Sequence, residues 1–279
     1  MKAKTLLIGN LFCYLMAGIF SCQNANKDEA LQQVPDTVSA TMPDSVRLTV
    51  ASIPFPKNAE ILLPDSYRKE SIGYPKNVKN KDWYELYKNP KTGKWQITKT
   101  DVKISYGQDP CVGEEMMIIG SQHENAVVLI KAFDGLSENI TTVLENKPLL
   151  PDAPLTFGMN GKTYTLIPEG YYDNGTKIKS SELPTDSEGN MYIDRMKSYS
   201  LTFGSAQTSP YTIAAIEETD DVMPKVIWAG DLNGDGLPDM ILDLSEHYEC
   251  QHLYFFLSDK NDTERLLKKA ADVMIVFDC

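Results

Sequence analysis

The chain has 279 residues, of which 42% are hydrophobic and 24% charged, the ordinary balance of a chain that folds around a core. Its formal net charge is −12. That excludes the basic footprint of a nucleic-acid binder and of a basic membrane-surface helix, so no nucleic-acid partner is expected.

The chain opens with Met1-Lys2-Ala3-Lys4, a short basic start. Residues 5–20 are mostly apolar but too few for a spanning helix, so residues 1–21 read as a signal peptide. It ends in Ile19-Phe20-Ser21-Cys22, an apolar, a variable and a small residue before a cysteine. This resembles the bacterial lipobox, with Phe20 bulkier than usual. The resemblance implies cleavage before Cys22, lipidation of its thiol and membrane attachment through it. Residues 22–45 are polar and Pro- and Ser-containing, a flexible tether. Within it, Lys27-Asp28-Glu29 resembles the acidic surface-export signal of Bacteroidetes lipoproteins. The implied location is the cell envelope, on the outer membrane, facing the periplasm or the exterior.

Residues 46–279 remain for a β-rich globular domain. Residues 47–53 alternate like a strand, and Pro54, Pro56 and Pro64 then interrupt. Residues 83–98 form a hairpin around the turn Asn89-Pro90-Lys91-Thr92-Gly93. Its aromatics Trp83, Tyr84, Tyr87 and Trp95 fit a core better than a sugar platform. Strands follow at 102–106, 115–119 and 126–133. Residues 134–154 read as a weak divider between two strand groups. Residues 155–157 and 163–166 pair across Asn160-Gly161, a strong hairpin signal. Residues 171–190 are an irregular insertion. Strands resume at 199–203, 211–216, 226–229, 240–244, 253–257 and 273–277, with one short helix expected at 263–271. The fold class is therefore all-β or β-dominated, built from antiparallel sheets. No fixed-period repeat points to a solenoid or regular propeller.

Between two short apolar strands lies Asp231-Leu232-Asn233-Gly234-Asp235-Gly236-Leu237-Pro238-Asp239. It offers side-chain oxygens at its first, third, fifth and ninth positions, with a carbonyl at Leu237. Calcium takes six to eight oxygen ligands, and oxygens at every second residue let one loop wrap it. Gly234 and Gly236 permit the tight turning. Leu242 stands where an EF-hand would carry its bidentate Glu. The stretch resembles the calcium loops of FG-GAP and VCBS-type repeats, here in one copy. The resemblance implies Ca²⁺ held by Asp231, Asn233, Asp235, Leu237 and Asp239.

The remaining chemistry is sparse. An exported compartment permits disulfides. Cys250–Cys279 is the expected pair, with Cys111–Cys250 and Cys111–Cys279 left open. His247, Glu249 and His252 fit no zinc spacing. No nucleophile elbow or metalloprotease motif occurs. The acidic pairs Glu114-Glu115, Glu217-Glu218 and Asp220-Asp221 read as solvated faces. The expected role is a non-enzymatic binding or interaction module with a protein or glycan ligand. The alternative is an envelope hydrolase acting on glycan or peptide.

Overall fold

The computed structural model describes residues 59–277, apart from 72, 207 and 263. The signal peptide, Cys22, the tether, the strand expected at 47–53 and Cys279 lie outside the described residues. The strands in chain order are β1 (Ile61–Leu62), β2 (Ser66–Arg68), β3 (Trp83–Lys88), β4 (Trp95–Thr100), β5 (Lys103–Gln108), β6 (Glu115–Gly120), β7 (Ala126–Lys131), β8 (Thr141–Pro148) and β9 (Leu155–Met159). They continue with β10 (Lys162–Tyr171), β11 (Arg195–Met196), β12 (Ser198–Ser205), β13 (Tyr211–Ile216), β14 (Thr219–Asp220), β15 (Lys225–Asp231), β16 (Asp239–Asp243), β17 (Cys250–Ser258) and β18 (Leu267–Val276). Helix among the described residues is limited to single 3₁₀ turns at Val78–Asn80 and Ser180–Glu182. The fold is β-dominated, and its named strands pair antiparallel.

The sheet β18-β17-β16-β15-β8 forms a central layer. Ile227, Trp228, Ile241 and Phe255 on one face join the core formed with β1-β7-β3-β4 and β2-β6-β5. Val226, Met240, Leu242 and Phe256 on the other face join the core of β13-β12-β10-β9. A strand buried on both faces cannot alternate apolar and polar residues. That explains the unbroken apolar runs of β15 and β16, every residue of β16 being buried.

The β9–β10 hairpin turns on Asn160 and Gly161, both at positive φ (48° and 74°). This is the two-residue turn that Asn-Gly favours. Trp83, Tyr87 and Trp95 are buried and Tyr84 packs against the core, so the hairpin aromatics form no exposed platform.

One expectation is corrected. Residues 267–271 are not helical; they open β18, which pairs with β17 along its length. Leu-Leu-Lys-Lys-Ala-Ala is a run of good helix formers, but propensity is a weak prior that sheet pairing overrides. Residues 134–154 carry β8, hydrogen-bonded to β15 in the central sheet, and they stand between strands β1–β7 and β9–β18, which share no sheet.

Candidate metal centre

The loop of residues 232–238 joins β15 to β16, so its two ends are fixed by the doubly buried central sheet. At its root the chain passes unusually close to β8. A Cβ on Gly230 would lie 1.8 Å from the Thr141 carbonyl oxygen and 2.6 Å from the Trp228 ring, so only glycine fits. Gly234 and Gly236 then take positive φ (76° and 80°) to close the coil.

Successive side chains brace that coil from within. Asp231 accepts the Gly234 N–H at Oδ1 (2.7 Å) and the Gly236 N–H at Oδ2 (2.9 Å). Asn233 Oδ1 accepts the Asp235 N–H at 3.0 Å, and Asp235 Oδ1 accepts the Leu237 N–H at 2.8 Å. Alternate residues thus turn oxygens inward, each supporting the backbone two to five residues on. The Leu232 and Leu237 side chains are buried, anchoring the coil on the core.

Asp239 stands at the base, fully buried. Its Oδ2 accepts the Leu232 N–H at 2.8 Å, and its Oδ1 accepts the Ser258 N–H at 2.9 Å and hydroxyl at 3.2 Å. Burial pushes its carboxyl up to about 8, against the pull of the Ser258 and Leu232 N–H groups, and the charge of Asp235 adds to the rise. The Ser258 hydroxyl also lies 3.3 Å from Asp235 Oδ2, so it sits between the two carboxylates. A single hydroxyl proton cannot serve both.

Two contributors lie far away in sequence. Ser258 comes from the end of β17, and Asn160, at the tip of the β9–β10 hairpin, donates its Nδ2 to the Gly236 carbonyl at 2.8 Å. The Asn-Gly pair signals its turn, but nothing in the sequence signals its grip on the loop.

The donor set suits a hard cation: three carboxylates, an amide oxygen and a backbone carbonyl, with no nitrogen or sulfur. A carboxylate offers about four lone-pair sites, so accepting N–H groups leaves capacity for an ion. Among the described residues no three His, Cys, Asp or Glu side chains stand grouped closely enough to hold a metal. The oxygens are in place around one coil, each turned to a backbone N–H.

The remaining sequence candidates disperse. Cys250 is a free, buried thiol whose sulfur lies 3.3 Å from the His247 carbonyl, so the expected Cys250–Cys279 bridge is not formed. The sulfur lies inside, against its own turn, rather than facing a partner. Cys111 is the cysteine held in a disulfide. His252 Nε2 meets Asp272 at 3.0 Å and does not converge with His247 and Glu249 on a common point. Glu218 pairs with Arg195 and Lys197, and Glu115 with Lys69, as solvated charges do.

No family model, curated protein or solved structure matches this chain.

Proposed function

We propose that the chain is an envelope-anchored lipoprotein whose 231–239 loop binds one structural calcium ion, and that it acts as a non-enzymatic binding or interaction module. One observation carries the metal: a buried carboxylate, Asp239, shares the Ser258 hydroxyl with a second carboxylate, Asp235, inside a coil of inward oxygens. Burial beside a second carboxylate opposes ionisation of Asp239, and a cation favours both carboxylates in their charged form. Asp231, Asn233, Asp235 and Asp239 hold the ion through side chains and Leu237 through its carbonyl. The ion supplies the charge that lets β15 and β16 meet without repulsion. The membrane partner is reached through lipidated Cys22.

Calorimetric titration of chelator-stripped protein tests the metal. Extracellular calcium modules bind at about 10⁻⁴–10⁻³ M. At tenfold excess over Kd the native state gains about 1–2 kcal/mol, and the melting point rises. Asp231→Ala with Asp235→Ala loses that response, and Mg²⁺ substitutes poorly because it demands tight octahedral geometry. No heat and no melting shift up to ~10 mM Ca²⁺, above the weak end of that range, rejects the metal. Cys22→Ser tests the anchor: normal processing and membrane retention of that variant reject lipidation.

A further inference from the structure

A groove of about 630 Å³ runs between β8 and the β3–β4 hairpin. β8 is the last strand of the central sheet, and β4 is the last strand of the sheet β1-β7-β3-β4. Two sheet edges therefore border one groove. All six residues 142–147 line it. A strand met face-on shows only alternate residues, so consecutive lining means the groove looks along the edge of β8. That edge carries unpaired backbone groups that can template another strand.

The groove's chemistry is specific. Ile140, Val143 and Leu144 line it and are half-buried. Glu145 is consumed: Lys88 Nζ meets its Oε1 at 2.9 Å and the Trp95 indole N–H donates to its Oε2. Lys94 and Lys147 line the same groove, and neither has an ion-pair partner among the described residues. A cationic rim left unpaired on a chain of net charge −12 is an attractive site for an anionic ligand. At one end, Asn146 at φ 45°, Lys147 and Pro148 blunt the edge, as natural edge strands do. Residues 141–145 keep their outer edge unpaired, with a bulge at Val143.

We infer that this groove binds an extended acidic peptide, which adds as a strand along residues 141–145 of β8 while its carboxylates meet Lys94 and Lys147. The inference rests on the binding-module reading above and names its partner chemistry. An open edge calls for a ligand with a backbone of its own, as in other strand-addition sites.

The test uses the soluble protein, residues 23–279, kept in calcium, and the probe peptide Ac-EVEVEVE-NH2. Amide shifts on titration should be confined to β8 and the start of β4. Binding should weaken at least tenfold in Lys94→Glu with Lys147→Glu, and it should fall with added salt. A peptide N-methylated at alternate residues should not bind, since it cannot form the ladder. Equal binding by Ac-KVKVKVK-NH2, equal binding by the N-methylated peptide, shifts elsewhere, or no shifts at millimolar peptide each overturn the inference. Self-association through β8 without peptide does so too, assigning the edge to a second copy. The calcium titration is read on the same sample without peptide, so failure of one is distinguishable from failure of the other.

Discussion

The Glu85 carboxylate, on β3, lies fully buried 2.7 Å from Nδ1 of His123. It also accepts the backbone N–H groups of Gln122 and His123, each at 3.1 Å. Tyr87 stacks on the imidazole, with ring centroids 3.8 Å apart and planes at 12°. A charged residue inside a β-sheet core is explained by this loop, whose backbone donors face inward with no strand to accept them. Glu85→Ala takes the acceptor from the His123 N–H and leaves the Gln122 N–H only the Thr100 hydroxyl at 3.3 Å, and should cost about 2–3 kcal/mol. For a domain of this size that is a drop in Tm of about 5–10 °C. Glu85→Gln, which keeps one acceptor, should lose less. Thermal unfolding of the three proteins settles the order; equal Tm values would contradict it.

Gly230 and Gly93 form a matched pair of tests. A Cβ at Gly230 meets the β8 backbone at 1.8 Å, whereas at Gly93, in the β3–β4 turn at φ 67°, it meets nothing within 4 Å. Gly93→Ala should cost only the left-handed penalty of about 1–2 kcal/mol. Gly230→Ala forces backbone apart and should cost about 3 kcal/mol or more, the upper range for overpacking. Denaturant midpoints compare them directly. A Gly230→Ala protein as stable as Gly93→Ala would refute the close crossing.

The cysteines give a mass-spectrometric prediction. With Cys250 free and Cys111 bonded, Cys279 is the one other cysteine within residues 46–279. Non-reducing peptide mapping should recover a Cys111–Cys279 peptide. Cys250 should resist alkylation in the folded protein and react once it is unfolded without reductant. A Cys250 peptide in a bridge would exclude this pairing. Reduction of the Cys111 bridge should cost about 2–5 kcal/mol.

Acid should expose the role of Asp272. The hydrogen bond from His252, helped by Lys269, holds its carboxyl down at about 2. An unfolded Asp titrates near 3.9. A folded value below the unfolded one means the group stabilises above about pH 4 and loses that contribution as pH falls through about 2. Part of the effect is screened, because Asp272 is 39% exposed. The stability gap between the native chain and Asp272→Asn should therefore close as pH falls from about 4 towards 2. A gap that persists unchanged at pH 2 would show that Asp272 acts by some other route.

Most strands were readable because they alternate or end in a strong turn, as at Asn160-Gly161 and Asn89-Pro90. β8 was not. It borders the open groove, so Thr142, Val143, Leu144 and Glu145 are all half-buried and no two-residue period emerges. The opening of β18 was hidden for the opposite reason: its local preference is clear and helical, and the partner that overrules it, β17, is not local. The 231–239 coil was legible because its spacing is contained in nine residues. Ser258 and Asn160 were not, since each reaches the loop only through the fold. The free state of Cys250 also depends on which way its sulfur points, which spacing does not encode.

The crossing at Gly230 bears on ancestry as well as on stability. Aspartate-rich loops arise easily, and a match to Asp231 through Asp239 alone says little about descent. A glycine directly before the first aspartate, together with a strand some ninety residues earlier whose carbonyl fills the space of its missing Cβ, is a pairing that unrelated loops have no reason to share. Any relative that keeps this crossing must keep that glycine, even if the carboxylates have drifted. The residue with no side chain is the better pedigree marker.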